Sequence, residues 1–200
     1  MRSILAFRLG CLATCLLLAS CLMAQSAPTA TSPLPDPTAY LARQFGPTFT
    51  LDPKVPPMFG DLTGDGKEDL VLVGRSSTPL LSKEQFGFKV EDPYNAYFGT
   101  GDTRITSQFT LHFDGSARCI LVVFDWRNPS QSRHVSKFVL INTPFETLNI
   151  VNLRLKKKKL QAIEAVDIQT LHALLIWDGK RWYWHAQGME GDEDLMPQRH

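Results

Sequence analysis

Residues 59–73 read FGDLTGDGKEDLVLV, and two patterns meet inside them. The first half sets Asp61, Thr63 and Asp65 at alternate positions and follows them with Gly66. Gly66 permits a sharp backbone turn that aims neighbouring oxygens at one point. The second half, Asp69 to Val73, is a short apolar run with the pattern of a β-strand rather than a helix. A tight polar turn that opens directly into an apolar strand predicts a fold of short strands joined by turns.

The flanking sequence extends that reading. Ile105 to Phe113 alternates, with Phe109, Leu111 and Phe113 on one face, and Asp114-Gly115 marks a turn. Cys119 to Phe124 is apolar on both faces, which predicts a strand in the middle of the sheet arrangement. Lys137–Ile141 and Leu148–Leu155 add two strands, with Pro144 in the break between them. Leu160, Ile163 and Val166 have helical spacing, so a helix to Leu175 is one reading of that segment. Asp167 falls where such a helix needs an apolar side chain, and Ile168-Gln169-Thr170 is β-prone, which favours strand. Ala173–Trp177 and Arg181–His185 flank Asp178-Gly179 as a hairpin. Near the start, Asp36 is placed to cap a short helix, with Pro37 at its first position. Tyr40, Leu41 and Phe45 form its stripe, and Gly46 its end. The class predicted is mostly β: a compact antiparallel β-sheet or sandwich-like domain with a short N-terminal helix.

Hydrophobic residues make up 44% and charged residues 20% of the 200 positions, which excludes a disordered chain and a long coiled coil. A formal net charge of +1 argues against nucleic-acid binding. Residues 1–24 read as an export signal: Arg2 and Arg8, then an uncharged apolar run from Leu9 to Ala24. Two processing sites stand open. Leu18-Ala19-Ser20-Cys21 resembles the bacterial lipobox, which implies lipidation of Cys21 and a membrane tether. Cleavage after Ala24 would instead release a protein starting at Gln25. Without Arg2 and Arg8, 19 basic residues face 20 acidic ones, a net charge of −1. Cys11, Cys15 and Cys21 lie in the same segment, so only Cys119 remains and an internal disulfide framework is excluded. Residues 25–36 read as a flexible Ser/Thr/Pro/Ala linker, 37–190 as one domain and 191–200 as an exposed tail.

The spacing in residues 61–69 points to a cation. Calcium takes six to eight oxygens, and Asp61, Thr63, Asp65 and Asp69 fall at positions 1, 3, 5 and 9 of a loop that can supply them. Lys67, at position 7, would contribute its backbone carbonyl. The loop is not an EF-hand: position 12 is Leu72 where that motif has a bidentate Glu, and a strand follows. It resembles the calcium loops of FG-GAP and VCBS repeats, as in integrin α-subunit propellers, over about residues 59–73. That resemblance implies calcium held by Asp61, Asp65, Asp69 and the position-3 side chain, with Thr63 where the family has Asn or Asp. Only one copy is evident, so a many-bladed propeller is not implied. Segments such as KFVLINTPF and IWDGKRWYW are similar to stretches of exported bacterial proteins, a likeness that implies no activity.

The weaker signals have a simpler structural account. Trp182 and Trp184 share one face of the last hairpin and could stack on a ligand, although cross-strand packing is the simpler account. Lys156–Lys159 and the acidic group Glu190, Asp192, Glu193 and Asp194 read as solvated runs. No nucleophile elbow, zinc-protease motif or P-loop is present. The sequence therefore predicts an exported, calcium-stabilised β-domain with a protein or glycan partner, no nucleic acid and a membrane link only through Cys21. Its role would be binding or structural support in the cell envelope, and no catalytic activity is identified. The competing reading is an exported hydrolase acting on an envelope or environmental polymer.

Overall fold

A computed structural model describes residues 34, 36–99, 101–104, 118–128, 136–155, 158–167 and 172–187. The predicted strand over Ile105–Phe113, the Asp114-Gly115 turn, the export segment with Cys21, Lys156, Lys157 and the acidic tail lie outside these residues.

The expected helix is α1, Pro37–Phe45. The Asp36 carboxylate accepts from the N–H groups of Thr38 and Ala39, which satisfies two of the helix's free donors. Gly46 closes it at φ +93°. Two short strands follow, β1 (Thr50–Leu51) and β2 (Met58–Gly60), then β3 (Asp69–Arg75). Next come α2 (Lys83–Phe86), β4 (Lys89–Glu91) and α3 (Pro93–Phe98). The remaining elements are β5 (Arg118–Val123), β6 (Lys137–Leu140), β7 (Thr147–Leu155), β8 (Lys158–Val166), β9 (His172–Trp177) and β10 (Trp182–Ala186).

These strands form two sheets. The first runs β1-β3-β5-β6-β4, and β2 pairs with β3 beyond β1 on the same edge. Only the β4–β6 pair in it is parallel. The second is the antiparallel meander β10-β9-β8-β7. The mostly-β, largely antiparallel class is therefore as expected, and residues 158–166 are strand. Val71, Val73, Ile120, Val122, Phe138 and Leu140 of the first sheet pack on Ile163, Leu175 and Trp182 of the second. The opposite face of the first sheet buries Leu70, Leu72, Leu121 and Val139 against Tyr40, Leu41 and Phe45 of α1. Burial on both faces explains why β3 and β5 are apolar throughout. Lys137 ties the helices down: its ammonium donates to the carbonyl of Gln44 at 3.0 Å and to that of Phe86. A cation suits the carbonyl ends of α1 and α2.

Gly74 is required by its surroundings. A Cβ there would lie 2.7 Å from Leu121 Cδ1 and 3.1 Å from the Thr50 carbonyl oxygen, so a larger residue would displace the tip of Leu121 and require β1 to give by a few tenths of an ångström.

Candidate functional site

The turn joining β2 to β3 holds all five expected ligand positions, and its shape is built by carboxylates on backbone N–H groups. Asp61 Oδ1 accepts from the N–H of Gly64 (2.8 Å) and of Asp65 (3.1 Å), and Oδ2 from that of Gly66 (2.9 Å). The Thr63 hydroxyl also lies 3.4 Å from Oδ1. Gly64 and Gly66 adopt φ of +72° and +82°, the left-handed backbone that turns these donors inward. Asp65 Oδ1 accepts from the Lys67 N–H at 3.0 Å.

Asp69 closes the loop from the first position of β3. Its side chain is 1% exposed. Oδ2 accepts from the N–H of Leu62 (2.9 Å) and Thr63 (3.3 Å), and Oδ1 from that of Asp125 (2.9 Å). Burial pushes the Asp69 carboxyl up to about 7, against the pull of these N–H groups and with a further push from Asp65. Lys67 does not extend freely into solvent: its ammonium lies 2.6 Å from Asp125 Oδ2, and that bond raises its pKa. The loop thus brings Asp61, Thr63, Asp65 and Asp69 round one turn. Among the described residues, no three His, Cys, Asp or Glu side chains converge closely enough to hold an ion as they stand.

Two distant segments brace this loop, and neither was visible as part of the motif. After β5 the chain turns at Asp125, a non-glycine residue at φ +46°. Trp126 Nε1 and Arg127 both donate to Glu68 Oε2 at 2.9 Å. The Arg127 guanidinium also lies over the Trp126 ring, 4.5 Å from its centre. On the other side Gln161 of β8 holds Asp61 twice. The Asp61 N–H donates to Gln161 Oε1 at 2.6 Å, and the Gln161 N–H donates to the Asp61 carbonyl at 3.1 Å. Gln161 Nε2 in turn donates to Asn152 Oδ1 at 2.9 Å. The turn therefore joins the first sheet to the second.

Trp182 and Trp184 do share a face, as strand alternation requires, but it is the face packed on the first sheet. Trp182 is fully buried, 5.6–6.2 Å from the rings of Trp177, Phe124 and Phe138. Trp184 is 8% exposed and lies beneath Tyr94, Tyr97 and Phe98 at 4.9–5.5 Å. Stacking on a surface ligand is thus not open to Trp182. The exposed rings of this region are Phe98 (65%), Tyr97 (42%) and Tyr183 (36%). The signal for α3 was present: Asp92-Pro93 repeats the cap-and-proline start seen at Asp36-Pro37, and Asp92 accepts from the Asn95 N–H at 3.0 Å.

Cys119 is buried, and burial pushes its thiol up to about 12, which leaves it a small hydrophobe rather than a nucleophile. Of the histidines, His172 and His185 are described; His172 Nδ1 lies 3.2 Å from Glu164 Oε1. No helix among the described residues is long and apolar enough to cross a membrane. No protein-family model matches the chain, and neither curated proteins nor solved structures gave a match.

Proposed function

We propose that the chain is an exported, calcium-stabilised β-domain that serves the cell envelope as a binding or structural accessory protein. The observation that carries the cation is the closure of residues 61–69 on themselves. With Gly64 and Gly66 in left-handed conformation, Asp61 accepts from the N–H groups of Gly64 and Gly66, and Asp69 at the other end of the loop accepts from that of Leu62. The donor set is all oxygen, which suits a hard cation such as calcium. Asp61, Thr63, Asp65 and Asp69 would hold it by their side chains and Lys67 by its carbonyl. Asp69 adds a reason for the charge: among the described residues its hydrogen-bond partners are all neutral backbone N–H groups. A divalent ion would compensate a buried carboxylate that neutral donors leave costly. Bound there, it would order the turn that bolts the two sheets together through Asp61 and Gln161. The export segment and the alternatives of lipidation at Cys21 or release after Ala24 complete the reading.

Thermal unfolding in calcium and in chelator tests the site. Extracellular calcium modules bind at ~10⁻⁴–10⁻³ M, so about 1 mM calcium stabilises by roughly 0.4–1.4 kcal/mol and raises the melting temperature by roughly 1–6 °C. Asp65→Ala is the variant of choice, because Asp65 is exposed and accepts only a local bond from Lys67. It should fold and lose the calcium response. Equal melting of the wild type in calcium and in chelator overturns the cation. Palmitate labelling that disappears in Cys21→Ala separates the tethered form from a released chain beginning at Gln25.

A further inference from the structure

The two sheets leave a slot of about 360 Å³ at one edge. Val55, Pro56 and Met58 line one wall, and Leu148 and Ile150 of β7 the other. Among the described residues Asn149 is its one polar lining side chain, and that amide donates to Glu164 Oε2 at 3.3 Å. At one end the walls touch: a Cβ on Gly60 would lie 2.7 Å from Ile150 Cγ2. At the other end Arg118 holds both walls. Its Nη1 donates at 3.1 Å to the carbonyl of Phe145, just before β7. Its Nε lies 3.2 Å from Asp52 Oδ2, and the Val55 N–H donates to the Asp52 carbonyl at 3.3 Å.

This end of the slot carries an excess of positive charge. Arg118 and Arg75 stand directly opposite each other on β5 and β3. Like charges so placed repel unless an anion compensates them. The Asp52 carboxylate lies between them, with Arg75 Nη2 at 3.1 Å, but it is one charge against two. The exposed Lys54 and Glu146 beside this group cancel each other. The Arg118 guanidinium is held flat on the Phe145 ring, 4.1 Å from its centre. Its Nε is not aligned for a hydrogen bond to Asp52, and among the described residues Nη2 has no partner. The side chain is 23% exposed, so an anion from solvent can reach it.

We propose that the slot binds a medium-chain fatty acid, with its aliphatic chain between Val55, Met58, Leu148 and Ile150 and its carboxylate on Arg118. Each part of the site selects one feature of this ligand. The apolar walls select a hydrocarbon chain, and their side chains offer nothing to pair a sugar hydroxyl. The volume lies near the lower end of the ~300–1,000 Å³ typical of ligand pockets, which suits one short chain and not a whole phospholipid. The guanidinium selects a carboxylate, whose two oxygens match its planar fork. Arg75 adds to the attraction through its charge. The inference names a ligand for the binding role and does not rest on a cation at residues 61–69, so every titration is run in chelator.

The test is isothermal titration calorimetry of the full chain with decanoate, kept below its micelle concentration. Saturable binding of one decanoate per chain is expected. Decanol has the same chain and no charge, and should bind roughly tenfold or more weakly, with decyltrimethylammonium weaker still. This head-group series needs no protein variant. Val55→Trp fills the slot and leaves both arginines in place, so it should abolish binding. Arg75→Gln should weaken decanoate several-fold and leave decanol unchanged. Urea unfolding checks that both variants fold, and if either does not, the head-group series decides alone. No saturable heat, equal affinity for decanoate and decanol, or wild-type binding by folded Val55→Trp overturns the proposal. Tighter binding of decyltrimethylammonium overturns it too, because the site would then select a cationic head.

Discussion

Glu91 offers a test of how the two sheets are joined at the end opposite β7. It is 1% exposed at the end of β4, yet its Oε2 accepts from the Trp182 N–H of β10 at 2.8 Å and from the Thr103 hydroxyl at 3.1 Å. Burial raises its pKa above the ordinary value of 4.5, against the opposing pull of those two donors and of Lys89. The sign follows from linkage. A raised pKa in the folded state means that the native protein binds the proton more tightly than the unfolded chain. The contribution is fully present below 4.5 and is lost as pH rises through the folded value. Glu91→Gln keeps an oxygen that can accept both bonds and carries no charge. Its stability relative to wild type should therefore be close to neutral at about pH 4.5 and favourable at about pH 8.

Glu91→Ala fixes the scale. It strands a buried Trp182 N–H and removes the Thr103 partner, which costs about 1–3 kcal/mol. For a domain of this size that lowers the melting temperature by roughly 2–12 °C, with the larger drop at about pH 4.5. Urea unfolding of the three proteins at both pH values is the assay. Reading the variants as differences cancels the titration of every other group. A Gln variant less stable than wild type at about pH 8, or a gap that ignores pH, would refute the claim that the charge of Glu91 opposes folding.

Other substitutions probe other joints. Asp52 is buried between Arg75 at 3.1 Å and Arg118 at 3.2 Å. Burial raises its pKa, but the Lys54 N–H and both guanidiniums outweigh that and hold it below the usual carboxylate range. Asp52→Ala should cost about 2–3 kcal/mol by urea unfolding, less than a fully buried pair because both arginines reach solvent. The wild type holds this stability above the ordinary pKa of 3.8 and loses it as pH falls through the lower folded value, so the variant should show a flatter acid limb. Gly66→Ala meets no atom within 4 Å, so only its φ of +82° opposes the change. It should cost about 1–2 kcal/mol in chelator, by the same assay. Gln161→Leu leaves the Asp61 N–H without its partner, and amide hydrogen exchange at Asp61 should quicken by roughly tenfold for each 1.4 kcal/mol of local stability lost.

Legibility in the sequence followed the range of the interaction that fixes each element. α1 was readable because its cap, its proline and its terminal glycine all lie within a few residues of one another. β3 and β5 were readable because burial on both faces leaves an apolar run that needs no partner to be recognised. β1, β2 and β4 have two or three residues each, too few for a period, and exist because a longer strand supplies their hydrogen bonds. α3 carries the same local signal, Asp92-Pro93 as at Asp36-Pro37, but its PYNAYF stripe meets an aromatic cluster that only the fold assembles.

The candidate site divides along the same line. The order Asp61, Thr63, Asp65, Gly66, Asp69 encodes a closed turn, since each carboxylate finds N–H groups within eight positions. Nothing in that spacing encodes Gln161, 100 positions away, or Trp126, 58 positions from Glu68. Those contacts make the turn a joint between sheets instead of an isolated surface loop. They also decide what a cation there would do. An ion bound to an unbraced turn would stabilise little beyond the turn itself. Here Asp61 is fixed to β8 and Asp69 to the segment after β5, so order at the loop is shared by both sheets. Calcium and chelator should therefore shift hydrogen-exchange protection at Gln161 and Asp125 as well as within residues 61–69. A response confined to the loop would show that the braces carry no coupling.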